Sequence, residues 1–572
     1  MHKKTVIDFK ALGQRLVFTQ PLVELKTRDV SEVKDLLAQV ESYQQEGYYV
    51  VGYVSYEAAP AFEEKLQVHE EPLLSEYLLY FTVHAQVAYE DFPLTYEEVA
   101  MPDKWQQRVS EVAYEKAIET IHHHIRQGDT YQVNYTIQLE QDLTSQPWEI
   151  YNRLVVEQEA AYNAYIEHDD FAVLSISPEL FFEQEEDWLK TRPMKGTIAR
   201  GVTKESDLAA AAWLTQDSKN RAENMMIVDL LRNDMNRICR VGTVAVDKLC
   251  TVEQYSTVWQ MTSTIVGQLK SGLNLPDLFQ ALFPCGSITG APKISTMGYI
   301  KQLESAPRGV YCGTVGICLP DGHRIFNVAI RSLQIQQGKA IYGVGGGITW
   351  DSSWQGEYQE VAQKSAILTR QRPRFDLVTT GRVTGGQLTF ADQHQTRLQE
   401  ATRYFAYPFE METWQAELQA VCTSLSKEVD YRLRMTVDKA GHLGFEVEEL
   451  RPLSADFLSA SLVEQSANLA QPFTYFKTSH RPHIQVGTRE QIYHLPDGTL
   501  LETSLGNLLL EIEGQLYTPV GTLPILKGIY RKHLLDTNQA REAHLTLPDL
   551  ERASRIYACN AVRGLYEIKL EK

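Results

Sequence analysis

The sequence has no CxxC pair, and its seven cysteines stand apart at Cys239, Cys250, Cys285, Cys312, Cys318, Cys422 and Cys559. An odd, scattered set argues against a disulfide frame or a thiolate zinc site, and for reduced thiols in a cytoplasm. No apolar run is long enough to cross a bilayer, so no membrane span is expected. The start, MHKKTVIDFKALGQ, is basic but has no apolar stretch behind it and does not read as a signal peptide. Internal repeats and low-complexity tracts are missing. Positive charge is in deficit: 55 lysines and arginines against 74 aspartates and glutamates give a net charge of −19. Such a surface repels nucleic acid and anionic membranes, which removes both as partners. An anionic substrate stays open, provided that fixed local cations hold it.

What is present suits a globular protein, 43% hydrophobic and 23% charged. A chain of 572 residues is too long for one core, so two large domains are expected. The short basic run Arg370-Gln371-Arg372-Pro373-Arg374 marks the boundary. It separates residues 1–372, with an N-terminal part over 1–100 and a catalytic part over 110–370, from residues 375–572. Val112, Ile118, Ile121 and Ile125 recur at helical spacing, which predicts a helix over 110–127 ended by Gly128-Asp129. One long helix is expected from Asp207 to Leu231 and another from Gln355 to Thr369. The run His122-His123-His124 points in several directions on its helix and cannot form one metal face.

Four glutamates stand out: Glu179 in Ser177–Phe181, Glu223 on the second long helix, and Glu357 with Glu360, which share a helix face. Converging carboxylates need a cation, and oxygen-only donors favour magnesium. The glycine turns Gly286–Lys293 and Gly345–Ile348 can aim backbone N–H groups at an anion. Arg331, alone in an apolar strand, needs an anionic partner if buried.

Nine blocks occur in order: Gly128–Asn134, Ser177–Phe181, Arg192–Thr197, Ala222–Asp234, Gly286–Lys293, Arg308–Gly313, Ala329–Arg331, Gly345–Ile348 and Glu357–Glu360. Over about residues 10 to 370 they resemble the chorismate-utilising enzymes. The resemblance implies an α+β protein whose first domain is a layered sheet structure like anthranilate synthase component I. It implies magnesium on Glu223 and Glu360, with Glu357 close by, holding the ring carboxylate of chorismate. Arg331 and Tyr311 would take the enolpyruvyl carboxylate, helped by the amides of Gly345, Gly346 and Gly347; Thr289 and Lys293 complete the implied substrate-binding set. Relatives that form isochorismate or anthranilate usually carry alanine where this chain has Lys195; those that aminate ring carbon 4 show lysine. A neutral lysine can attack carbon 2 and expel the carbon-4 hydroxyl, with Glu179 as the implied acid, before ammonia adds at carbon 4. Gln260 stands where many relatives have histidine, and it cannot shuttle a proton. The sequence carries no glutaminase signature, so ammonia is expected from solution or from a separate glutamine amidotransferase subunit.

Residues 375–572 resemble the fold-type IV pyridoxal-phosphate enzymes, through His394–Leu398, Phe476–Arg481, Glu502–Leu508, Leu526–Arg531 and Asn560–Gly564. The resemblance implies a two-subdomain α/β domain able to form a homodimer. Lys477 would bind the cofactor's aldehyde, Glu502 would keep its ring nitrogen protonated, and Arg397 with the Gly528-Ile529 turn would hold its phosphate. Departures are Thr379-Thr380-Gly381-Arg382, where relatives often have Glu-Thr-Met-Arg, and Lys527 in place of proline. Together the two resemblances imply amination of chorismate, then loss of pyruvate to give 4-aminobenzoate. Two alternatives stay open: an aminotransferase domain for other amino acids, and a non-catalytic scaffold, which would need neither Lys477 nor Glu502.

Overall fold

The computed structural model describes residues 3–453, 457–466, 468–469, 471–485, 487 and 489–571; the first two residues of the basic start lie outside them. By internal contacts the chain divides into two units, residues 1–199 with 211–372, and residues 200–210 with 373–572.

The first unit holds, among the described residues, two sheets of ten strands each. One runs from Gly290–Ala291 through Gln132–Asp142, Lys339–Ile348, Ser332–Gln336, Phe171–Ser177 and Tyr162–His168 to Lys4–Phe9 and beyond. The other begins Met194–Ala199, Val258–Gln268, Trp188–Arg192, Leu180–Glu185, Arg324–Val328. Strand alternation explains the layering, since successive side chains point to opposite faces. In Lys4–Phe9, Ile7 and Phe9 enter one apolar cluster and Val6 another. In Tyr49–Val54, Val51 and Tyr53 join the cluster of Ile7, whereas Val50 and Val54 enter a third. The shared cluster therefore lies between the sheets. Helices Glu111–Gln127, Pro147–Gln158 and Trp354–Ser365 cover one outer face; Val33–Gln45, Ser218–Ile238 and Leu275–Leu282 cover the other.

Helix Glu111–Gln127 begins after Ser110, whose hydroxyl accepts from Ala113 N, and ends at Gly128 with φ 80°. The single helix expected over 207–231 is two helices, Lys204–Gln216 and Ser218–Ile238. Asp217 between them is extended, and its carboxylate accepts from Asn220 N at 2.9 Å. Its short acidic side chain caps the next helix instead of prolonging the first. Near residue 355 the helix runs over Trp354–Ser365 and tightens into a 3-10 turn at Ala366–Leu368. The histidine run makes local contacts: His122 with the Thr349 carbonyl at 3.2 Å, and His124 stacked on Tyr299 and bonded to Asp129.

In the second unit a four-stranded antiparallel sheet, Gln387–Leu388, Leu377–Thr384, Tyr431–Val437 and Leu443–Glu449, packs on helices Ala391–Phe405 and Met411–Ser424. An eight-stranded sheet mixes antiparallel pairs with parallel ones, such as Phe457–Glu464 beside both Glu490–His494 and Gly564–Leu570. Residues 200–210 belong here as well: Arg200 forks onto Asp207 at 2.6 and 2.7 Å, and Tyr404 donates its hydroxyl to the Gly201 carbonyl. No sequence signal marked that excursion. All seven cysteines are buried and unpaired. No helix among the described residues is long and apolar enough to cross a membrane.

One buried ion pair ties the first unit's loops together. Arg308, 2% exposed, forks onto Glu304 and also donates to the carbonyls of Ile288 and Asn134. Breaking such a pair leaves a buried charge alone, at about 3–5 kcal/mol. Arg308→Met should lower urea-unfolding stability of the first unit by that amount. Arg432→Ala, whose partner Glu448 is 66% exposed, should cost less than about 1 kcal/mol. Equal losses in the two variants would contradict the assignment.

Candidate active sites

Lys195 lies on strand Met194–Ala199, where pairing with Val258–Gln268 shifts register between Met194 and Thr197. The extra residue there, with Gly196 at φ 82°, re-aims the lysine side chain. Gln260 fixes this irregularity: its amide donates to the Gly196 carbonyl at 2.8 Å and accepts from the Thr197 hydroxyl at 2.7 Å. The residue that departs from the relatives' histidine therefore supports the lysine's strand.

The Lys195 amine faces the glycine strand. A Cβ built on Gly347 would stand 2.8 Å from Lys195 Nζ and would collide with the Gln132 amide. On Gly346 it would stand 3.1 Å from Glu357 Oε2, 3.6 Å from Lys364 Nζ and 3.9 Å from Glu360 Oε1, and on Gly345 it would strike the Tyr135 carbonyl. Missing side chains thus clear the space that these polar groups border. Gln132 is 1% exposed, and neither of its amide atoms has a partner among the described residues.

Glu179 is buried with one carboxyl oxygen unpartnered. Burial pushes its carboxyl up to about 7, against Ser287 and the charge of Lys195. Burial also raises Glu223, opposed by Lys195 and helped by the like charge of Glu360. It raises Glu357, which accepts from the Ser352 hydroxyl at 2.7 Å and feels Glu360 and Glu223. Burial works on Glu360 too, but the ion pair with Lys364 at 2.7 Å outweighs it and the carboxyl is lowered.

Mutually repelling, oxygen-only carboxylates are the chemistry of a magnesium site. Their placement is less complete than the sequence implied. Glu360 is tied to Lys364 and Glu357 to Ser352, and among the described residues no three His, Cys, Asp or Glu side chains are gathered to hold a metal ion.

Arg331 adopts φ 53°, and its guanidinium makes no hydrogen bond or ion pair with a described residue. Burial lowers its pKa, and Tyr342, Tyr255 and Glu179 face it. A half-buried cation without a bonded anion is a place for a carboxylate. The other expected binders are committed elsewhere. Lys293 Nζ pairs with Asp234 at 3.2 Å and donates to the Leu282 carbonyl. Thr289 donates to the Cys285 carbonyl at 3.1 Å. Tyr311 is 5% exposed in the apolar cluster, its ring against Gly343. Lys293 and Thr289 thus have partners within the fold, whereas Arg331 has none among the described residues.

In the second unit, Lys477 Nζ donates to the Thr380 hydroxyl at 3.3 Å. Burial, then the charges of Arg397 and Arg481, push its amine down to about 7. Glu502 is 4% exposed; burial raises its carboxyl to about 7, while Arg481 and the Leu526 N–H restrain it. Arg397 donates to the Lys527 carbonyl at 2.9 Å, and burial and Arg481 lower it to about 10. Asn507 clamps the turn by donating to the Leu526 carbonyl and accepting from Gly528 N at 3.1 Å. A Cβ on Gly528 would strike Asn507, which explains the glycine. Since the Gly528 N–H is taken, the free donors begin at Ile529, the first residue of helix Ile529–Asp536. A half-buried lysine poised to lose its proton, beside an arginine whose hydrogen bond is to a carbonyl, fits an aldehyde cofactor carrying a phosphate.

Residues 6–370 match the sequence profile of the family described as chorismate binding enzyme. The chain belongs to that family. Residues 376–570 match the profile described as amino-transferase class IV. Aminodeoxychorismate synthase component 1 of Bacillus subtilis is 35% identical over 331 residues, 58% of this chain and 68% of that protein. The protein of the same name from Escherichia coli is 36% identical over 282 residues, 49% of this chain and 61% of that protein. Anthranilate synthase component I from Streptococcus pneumoniae superposes with a TM-score of 0.55 at 26% identity, over 62% of this chain and 92% of that one.

Gln132 and Asn507 lie inside Gly128–Asn134 and Glu502–Leu508, where the sequence pattern assigns them no role. Lys364 could have been found, being one helical turn beyond Glu360. Thr380 lies in a stretch that departs from the relatives' pattern, and only the fold brings its hydroxyl to Lys477.

The raised Glu179 carboxyl has a stability signature. A carboxyl raised in the folded state favours folding at low pH, and that gain is lost as pH rises towards its folded value. Stability of the unliganded chain relative to Glu179→Gln should fall between about pH 4.5 and 7, then level off. A flat difference across that range would show that Glu179 titrates normally.

Proposed function

We propose that the chain makes 4-aminobenzoate in two steps, amination of chorismate at ring carbon 4 in the first unit and loss of pyruvate in the second. The observation that carries the first step is the Lys195 amine at Gly347, within the field of Glu179, Glu223 and Glu360. Arg331, half-buried and without a bonded partner among the described residues, takes the enolpyruvyl carboxylate, assisted by the amides of Gly345–Gly347. Lys195 attacks carbon 2 as the ring double bonds shift, and the carbon-4 hydroxyl leaves as water with a proton from Glu179. Ammonia then adds at carbon 4, and the lysine departs from carbon 2. Glu223 and Glu360, with Glu357, are the residues that would hold magnesium once Lys364 releases Glu360; the ion would supply positive charge for the ring carboxylate.

In the second unit Lys477 would hold the cofactor, Arg397 and the Ile529 amide would hold its phosphate, and Glu502 would set the protonation of its ring nitrogen. Pyridoxal phosphate supplies the electron sink that lets pyruvate leave. Lys477, pushed down to about 7, can take and return a proton near neutral pH. Joining both units in one chain raises the local concentration of the intermediate. Relatives named component 1 support a separate glutamine amidotransferase subunit as ammonia source. A cytoplasmic location and a homodimer through the second unit complete the reading.

Pure chain given chorismate, ammonium, magnesium and pyridoxal phosphate should form 4-aminobenzoate and pyruvate. Formation of anthranilate or isochorismate, or amino transfer to 2-oxo acids without aminobenzoate, would overturn the reading. Glu179→Gln should slow the first step by about 10²–10⁴-fold. Lys195→Ala should still bind chorismate and fail to aminate carbon 4; wild-type amination by this variant would reduce Lys195 to a cation in the pocket. Borohydride should fix the cofactor on Lys477, and a label on any other residue would refute that half.

A further inference from the structure

The lysine and the glutamate of the second site share a neighbour without a role. A guanidinium nitrogen of Arg481 lies 3.4 Å from Glu502 Oε1, an oxygen that also accepts from Leu526 N at 3.4 Å. The Arg481 Nε is buried and has no partner among the described residues. The side chains are 19% and 6% exposed, so water screens this pair weakly.

The charges around Lys477 come from several elements. Arg397 stands on helix Ala391–Phe405, Arg432 and Arg434 on strand Tyr431–Val437, Arg481 on the loop after Lys477, and Glu502 on strand Leu500–Thr503. His394, on the helix of Arg397, is kept neutral by burial. Arg432 and Arg434 have carboxylates of their own, Glu448 and Glu446, and Arg397 spends a donor on the Lys527 carbonyl and feels Glu400. Among the described residues, Arg481 is the cation that meets Glu502 and acts on Lys477 together.

We propose that Arg481 is the positioning residue of the second site, coupling Glu502 to Lys477 and keeping its Nε for an oxygen of the bound ligand. The proposal rests on reading Lys477 as the cofactor lysine. Its consequence is directional. Removing the guanidinium takes a positive charge from Lys477, whose amine then holds its proton to higher pH, and from Glu502, whose carboxyl does the same. One substitution therefore moves both groups away from the neutral amine and the ionised carboxylate.

The test uses the full chain before cofactor loading. Competitive acetylation with acetic anhydride, read by peptide mass across pH, gives the Lys477 midpoint, expected near 7 in the unmodified protein. In Arg481→Gln the midpoint should rise by about one unit, about fivefold less free amine at pH 7. Arg481→Met, which leaves no unmatched amide, carries the same expectation should the glutamine variant not fold. Arg481→Lys should recover at least half of the shift. An unchanged midpoint in the neutral variants, or no recovery with lysine, overturns the proposal. Borohydride labelling of the unmodified protein tests the cofactor reading separately, because the acetylation needs no cofactor.

Discussion

A buried guanidinium must find an acceptor for nearly every N–H, and in the first unit Arg308 meets that demand with the loops that frame the site. It draws in the Ile288 carbonyl from the glycine turn and the Asn134 carbonyl from strand Gln132–Asp142. Its partner Glu304 accepts from the backbone and hydroxyl of Thr136 on the same strand. Glu57 accepts from the N–H groups of Arg308 and Gly309, and burial pushes its carboxyl up to about 8. That strand is the one against which Gly345–Gly347 are registered, opposite Thr136, Tyr135 and Asn134. The ion pair therefore helps to fix the strand that carries Gln132 and pairs with the glycines.

Against this satisfied frame, the groups that lack partners are informative. Buried polar atoms are normally bonded, so each exception calls for a reason. In the first unit the exceptions include the Gln132 amide and a Glu179 oxygen, and the half-buried Arg331 guanidinium beside Glu179 also lacks a bonded partner among the described residues. In the second, the Arg481 Nε lies beside Glu502 and Lys477. Burial acts in opposite senses on the two charge types, raising Glu179 and Glu502 to about 7 and lowering Lys477 to about 7. Acids and amine are thereby brought to the range where each can exchange a proton at neutral pH.

The blocks that placed Lys195, Glu223, Arg331 and the glycines were legible because each carries local chemistry at fixed spacing. So was helix Glu111–Gln127, whose periodicity, serine cap and terminal glycine agree. The break at Asp217 was not, because an aspartate inside a polar helical stretch caps or continues according to a backbone turn that pattern alone does not fix. Lys293 and Thr289 read as binders by their place in a block, but the fold brings Asp234 and the Cys285 carbonyl to them first. The excursion of residues 200–210 depends on Tyr404 and Asp207, far apart in sequence, and leaves no periodic trace. Arg481 stood inside a recognised block, yet its role needs the distance to Glu502, which only the fold supplies.

The two lysines show how surroundings divide one functional group between two tasks. Burial, reinforced by the charges of Arg397 and Arg481, pushes the Lys477 amine down to about 7 before any ligand arrives. Lys195 faces the carboxylates of Glu179, Glu223 and Glu360 instead. On the proposed reaction it must nevertheless attack as a free amine, so its proton needs a nearby acceptor. Glu179 meets that need: its carboxyl, raised to about 7, is basic enough to take the proton and acidic enough to pass it to the departing hydroxyl. The same proton would then activate the nucleophile and release the leaving group, which explains why this site can work with glutamine where relatives keep histidine, with Gln260 left to hold the lysine's strand.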